Sequence, residues 1–93
     1  MNLLIFLDIN DIKLTIKDGR KTVGELAWTD EYTLSEMLLP NIDKLLRENK
    51  VSKSDIKKAS AKISKKSGVT STRIVQTVVK GWNAAVTLQV KSS

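Results

Sequence analysis

Cysteine and histidine are both absent from the 93 residues. Together these absences remove disulfides, thiol nucleophiles, histidine-based triads and almost every zinc site. A metalloprotein of the usual kind is therefore not expected. With the rest of the chain taken into account, no catalytic residue, metal ligand or cofactor is expected, and a non-enzyme is the reading. A chain without cysteine also suits a reducing compartment. The apolar run from Met1 to Leu7 is too short for a signal core and meets Asp8 at once. Nothing approaches the about 18 consecutive apolar residues that a membrane span requires, so a soluble, cytoplasmic protein is expected. Aromatic residues are scarce, and of Phe6, Trp28, Tyr32 and Trp82 only Phe6 falls in the expected central strand. That is thin provision for stacking single-stranded bases.

What is abundant is positive charge, and it is local. Of the net +6, seven lysines (50, 53, 57, 58, 62, 65 and 66) stand against Asp55 alone between Lys50 and Lys66, while the rest of the chain balances. The excess is a patch, as a solvated connection or an anion-facing surface would have. A length of 93 residues fits one small domain, for which a single core leaves only a few kcal/mol of net stability and a partner is welcome.

The hydrophobic pattern orders the elements. Asn2 to Leu7 is apolar on both faces, as in a central buried strand. Ile12, Leu14 and Ile16 alternate with Lys13, Thr15 and Lys17, Asp18-Gly19 supplies a turn, and Thr22 to Trp28 completes a meander. Thr33-Leu34-Ser35-Glu36 has the form of a capping box ahead of a helix over 34–49. That helix contains Pro40 and has a broad apolar face. Lys58 to Ser64 alternates as a strand with one buried face. Thr70 or Ser71 can cap a second helix whose apolar positions, Ile74, Val75, Val78, Val79, Trp82 and Ala85, recur at three and four. Val86, Leu88 and Val90 alternate as a closing strand.

The expected fold is mixed α/β with the order βββαβαβ, as in an RNase H-like lobe. It has a five-stranded mixed sheet, two helices on one face, and the other face largely open. Lys13, Lys17, Lys58, Lys62 and Lys91 are the candidates to stud that open face.

Ser35-Glu36, Leu38-Leu39-Pro40, Ile42 and Leu45-Leu46, followed by Thr70, Arg73, Ile74, Lys80 and Gly81, resemble the first lobe of the TsaB (YeaZ) family. Leu7-Asp8 sits where that family's first strand ends in an acid. The family is the non-catalytic partner in bacterial threonylcarbamoyl-adenosine synthesis on tRNA. The resemblance implies that residues 1–93 form a single N-terminal lobe of a two-lobed, actin-like protein. It also implies that the two helices bundle with a TsaD-like catalytic subunit or with a second copy. The interface residues it points to are Leu34, Met37, Leu38, Ile42, Leu45, Ile74, Val78 and Trp82. The chain departs from the family at Leu34, where the family has histidine, at Lys65-Lys66-Ser67, where it has Gly-Pro-Gly, and at Ser71, where it has glycine.

Two further features bear on chemistry. Asp8 ends the first strand, where actin-like ATPases hold phosphate and metal, but Asp8-Ile9-Asn10-Asp11 lacks the glycine that lets amides approach phosphate. A turn role is favoured. Lys58, Lys62, Lys65, Lys66 and Arg73 are candidates for contact with an anion or with RNA, tRNA included, although for Arg73 an internal ion pair is the favoured role. A small basic RNA-binding domain is the competing function.

Overall fold

Period-two alternation puts Leu3, Ile5 and Leu7 of strand β1 (Asn2–Asp8) on one face, and all three are fully buried. The computed structural model describes residues 1–92, and the side chains of residues 1–85. Strands β2 (Asp11–Asp18) and β3 (Lys21–Thr29) follow as an antiparallel meander. Strand β4 (Lys58–Ile63) lies parallel to β1 on its other side. The sheet order is β3-β2-β1-β4. Ile12, Leu14 and Ile16 sit opposite Leu7, Ile5 and Leu3 in register, so one sheet face is aliphatic throughout its centre.

Helix α1 (Leu34–Glu48) covers that face with Leu34, Leu38, Ile42, Leu45 and Leu46. Helix α2 (Val69–Ser92) adds Val75, with Ile74, Val78, Val79 and Trp82 packed at the margin of the same core. The mixed α/β class and the placement of both helices on one face match the sequence expectation.

The fifth strand does not. Among the described residues the sheet has four strands, and residues 86–90 continue α2. Asn83-Ala84-Ala85 contains no glycine or proline to stop a helix, and adding a residue to an existing helix is far easier than nucleating a new element. Five alternating residues are too few to overcome that. Lys91 accordingly belongs to α2 and not to the open sheet face, and its side chain lies outside the described residues.

The capping box also gives way. The Thr33 hydroxyl donates to both carboxylate oxygens of Asp30 at 2.9 Å, and the Thr33 N–H donates to the same carboxylate at 2.7 Å. The Glu36 and Met37 amides instead reach the Thr33 carbonyl. Asp30 wins because a carboxylate is the stronger acceptor. Burial opposes charge on Asp30, but the bonds from Thr33, Trp28 and Tyr32 outweigh it and hold the carboxyl below its ordinary range. A true reciprocal box forms at the 3₁₀ turn Lys53–Asp55. There the Asp55 carboxylate accepts from the N–H and the hydroxyl of Ser52, both at 3.0 Å.

Candidate partner-binding site

Adjacent leucines on α1 point opposite ways. Leu38 is 1% exposed and belongs to the core, whereas Leu39 is 55% exposed. A rotation of about 100° per residue carries Leu39 to the edge of the helix that faces α2. There it borders an apolar groove of about 420 Å³ with Thr77, Val78, Gly81, Trp82 and Ala85, and Lys53 stands at its rim. A second depression continues along the seam between Ser35 on α1 and Thr70, Arg73, Ile74 and Val78 on α2. Gly81 borders open space, since a Cβ there would meet nothing within 4 Å. The Trp82 indole N–H is buried and meets no acceptor among the described residues. An unpaired buried donor costs about 1–3 kcal/mol, so its position is not explained by internal bonding.

The structure separates the residues expected at the seam. Leu34, Leu38, Ile42 and Leu45 are buried against the sheet and have almost no surface left for another molecule. Met37 is exposed, and Ile74, Val78 and Trp82 are half-buried at the seam. Leu39 and Ala85 were not singled out, although the single step from Leu38 to Leu39 on a helical wheel separates the buried stripe from the exposed edge.

The charged candidates are dispersed. Lys58 and Lys62 are exposed on the face away from the helices, where Lys62 is in register with Phe6 and Lys13. Lys13 is itself drawn to Glu25 at 3.5 Å. Lys65 and Lys66 are exposed in the loop before α2. Arg73 is exposed at the seam, and no ion pair forms with it among the described residues, in contrast to the internal role expected.

The turn after β1 holds a feature that sequence reasoning missed. Ile9 has φ 58° and is 48% exposed, a left-handed conformation that β-branched residues avoid. It occupies the first loop position of a two-residue hairpin, as Gly19 does in the next hairpin with φ 63°. Its N–H donates to the Ser67 hydroxyl at 3.0 Å, and that hydroxyl donates to the Leu7 carbonyl at 3.4 Å. The amide that could meet a phosphate here is thus occupied by the chain itself. Among the described residues, no group of three or more acidic, histidine or cysteine side chains is arranged to hold a metal ion.

This geometry, a three-stranded meander, a helix, a parallel strand and a second helix on the same face, places the chain in a recognisable structural class. It superposes on YeaZ from Pseudomonas aeruginosa with a TM-score of 0.78 at 19% sequence identity, over 94% of this chain and 41% of that one. A crystal structure of a protein described as similar to peptidase YeaZ from Pseudomonas aeruginosa gives the same TM-score and identity, over 94% of this chain and 40% of the other. The fold is therefore YeaZ-like, and the chain spans about two fifths of those structures. No protein-family model and no curated protein matches the sequence. No helix among the described residues is long and apolar enough to cross a membrane.

Proposed function

We propose that the chain is a TsaB-like lobe that acts as a non-catalytic scaffold, binding a TsaD-like catalytic subunit, or a second copy, through the seam between α1 and α2. The observation that supports this reading is the apolar groove between α1 and α2 bordered by Leu39, Val78 and Trp82, with Leu39 more than half exposed beside it. The mechanism is positional. Burying the seam holds the partner in its working arrangement, and this chain makes and breaks no bond. Within such a complex the role is support of threonylcarbamoyl-adenosine modification of tRNA, in the cytoplasm, with the exposed lysines free to assist tRNA binding electrostatically.

The test is light scattering together with a pull-down against a TsaD-like subunit, using Leu39→Glu and Trp82→Glu. Loss of association in Leu39→Glu with the fold intact is the expected result. Unchanged association in both variants would remove the seam from the mechanism. A second reading, direct RNA binding, draws on exposed Lys58 and on Lys62, which is in register with the half-buried Phe6. It predicts tRNA affinity that falls steeply with salt in the isolated chain.

A further inference from the structure

Among the described residues, no strand pairs with the outer edge of β4. Ala59 turns both backbone groups away from β1: its N–H donates to Asn83 Oδ1 at 2.8 Å, and its carbonyl accepts from Asn83 Nδ2 at 2.9 Å. One side-chain amide thus occupies the place of a neighbouring strand for one residue. Strand alternation sends the N–H and C=O of Ala61 and Ile63 to that same edge, while the Ser64 N–H points the other way, to the Leu7 carbonyl at 2.8 Å. No strand among the described residues pairs there, because β4 ends the sheet order. Beside this edge runs a groove of about 430 Å³ whose apolar lining is Ala59, Ala61, Ile63 and Val79.

We infer that the free edge of β4 accepts an extended acidic segment of a partner protein as an added strand. Main-chain bonding to an exposed sheet edge is a general mode of peptide capture, and the groove beside it would take alternate small apolar side chains. Charge selects the occupant. From Ile56 onward the chain has no Asp or Glu, and Lys58, Lys62, Lys65, Lys66 and Lys80 all belong to β4, the loop after it or α2. Lysines on an edge strand discourage a second copy of the same strand, since pairing would bring like charges together. The same lysines favour an incoming segment carrying carboxylates on the face it shares with Lys58 and Lys62. A nucleic acid could meet the lysines and the outward amides, but its phosphates only accept, so the outward carbonyls of Ala61 and Ile63 would stay without a donor.

The probe is a fluorescein-labelled nonapeptide of alternating valine and glutamate. Two controls accompany it, one with lysine for glutamate and one with prolines at two successive central positions. Binding should raise the anisotropy of the first peptide alone and slow hydrogen exchange at the Ala61 and Ile63 amides. Ala61→Pro removes an outward N–H without touching the bonds to β1, and should weaken binding about five- to tenfold. Lys58→Glu with Lys62→Glu should weaken it by a similar factor and serves if the proline variant does not fold. Equal binding of the proline-containing control, or unchanged exchange at Ala61 and Ile63 in the complex, would overturn the proposal in favour of charge attraction alone. Protection of those amides without peptide, rising with protein concentration, would overturn it in favour of a second copy.

Discussion

The contrast between Leu38 and Leu39 tests both the fold and the binding seam with one pair of neighbouring residues. Leu38 is 1% exposed among the aliphatic side chains of β1, β2 and α1. Its truncation to alanine removes buried methyl groups and leaves a cavity, at a cost of about 2–5 kcal/mol. For a small domain with about 5–15 kcal/mol in total, that is a large fraction of the stability. A mid-range loss of about 3 kcal/mol lowers Tm by about 12–24 °C. Leu39 is 55% exposed, so Leu39→Ala should change stability by no more than about 0.5 kcal/mol. Leu39→Glu should leave the fold intact yet place a carboxylate in the groove beside Val78 and Trp82. Association then loses about 1.5–3 kcal/mol of apolar burial and must also desolvate a charge. The binding constant falls at least about a hundredfold. Circular-dichroism melts give the first quantity, and titration against the TsaD-like subunit gives the second. The reasoning fails if Leu39→Glu melts as low as Leu38→Ala, or if its partner affinity is unaltered.

Three smaller predictions follow from local geometry. Ile9→Gly relieves a left-handed β-branched residue, worth roughly 1–2 kcal/mol, against an entropic cost of roughly 0.5–1 kcal/mol; the variant should unfold at higher denaturant, and a lower midpoint would contradict the strain. A Cβ at Gly24 would run into the Asn49 carboxamide, which donates to the Leu45 carbonyl at 2.8 Å. Gly24→Ala should therefore cost about 1 kcal/mol alone and nothing in an Asn49→Ala background, as a double-mutant cycle would show. Asp30 and Asp55 both have carboxyl pKa values below the ordinary 3.8. Their contribution is present above pH 3.8 and is lost as pH falls through the lower folded values. Acid titration of Asp30→Asn should accordingly show a shallower loss of stability below pH 3.8 than the parent, and identical slopes would refute the linkage.

Legibility from the sequence depended on whether local pattern and tertiary demand agreed. The meander, α1 and β4 were readable because period-two and period-3.6 patterns coincide with burial, as at Ile12, Leu14, Ile16 and the Leu34-Leu38-Ile42-Leu45 stripe. The same stripe misled at the seam, since apolar width alone does not say which leucines face the sheet. Asp30 was invisible as a cap because its bonds to Thr33 arise from the turn that brings the two together. The closing strand failed where a weak alternation met an uninterrupted helix. Ile9 could not be recognised as left-handed, because its side chain carries none of the usual glycine or asparagine signal.

Helix α2 serves both proposed surfaces with different residues, which makes them separable. Val78 and Trp82 border the groove shared with Leu39, whereas Gln76, Val79 and Lys80 border the groove beside β4. Residues at i and i+4 share a helix face, while a step of one turns the side chain by about 100°. The seam is apolar and the β4 edge is basic, so one helix presents two chemistries. A substitution at Leu39 lies on α1 and has no shared partner with Ala61 on β4. The effects of Leu39→Glu and Ala61→Pro should therefore be independent to within about 0.5 kcal/mol. The first should abolish partner binding while the acidic peptide still binds, and the second should weaken peptide binding about five- to tenfold while the partner still binds. If Leu39→Glu also abolished peptide binding in a folded protein, the two surfaces would be one coupled site, and the division of α2 between them would be wrong.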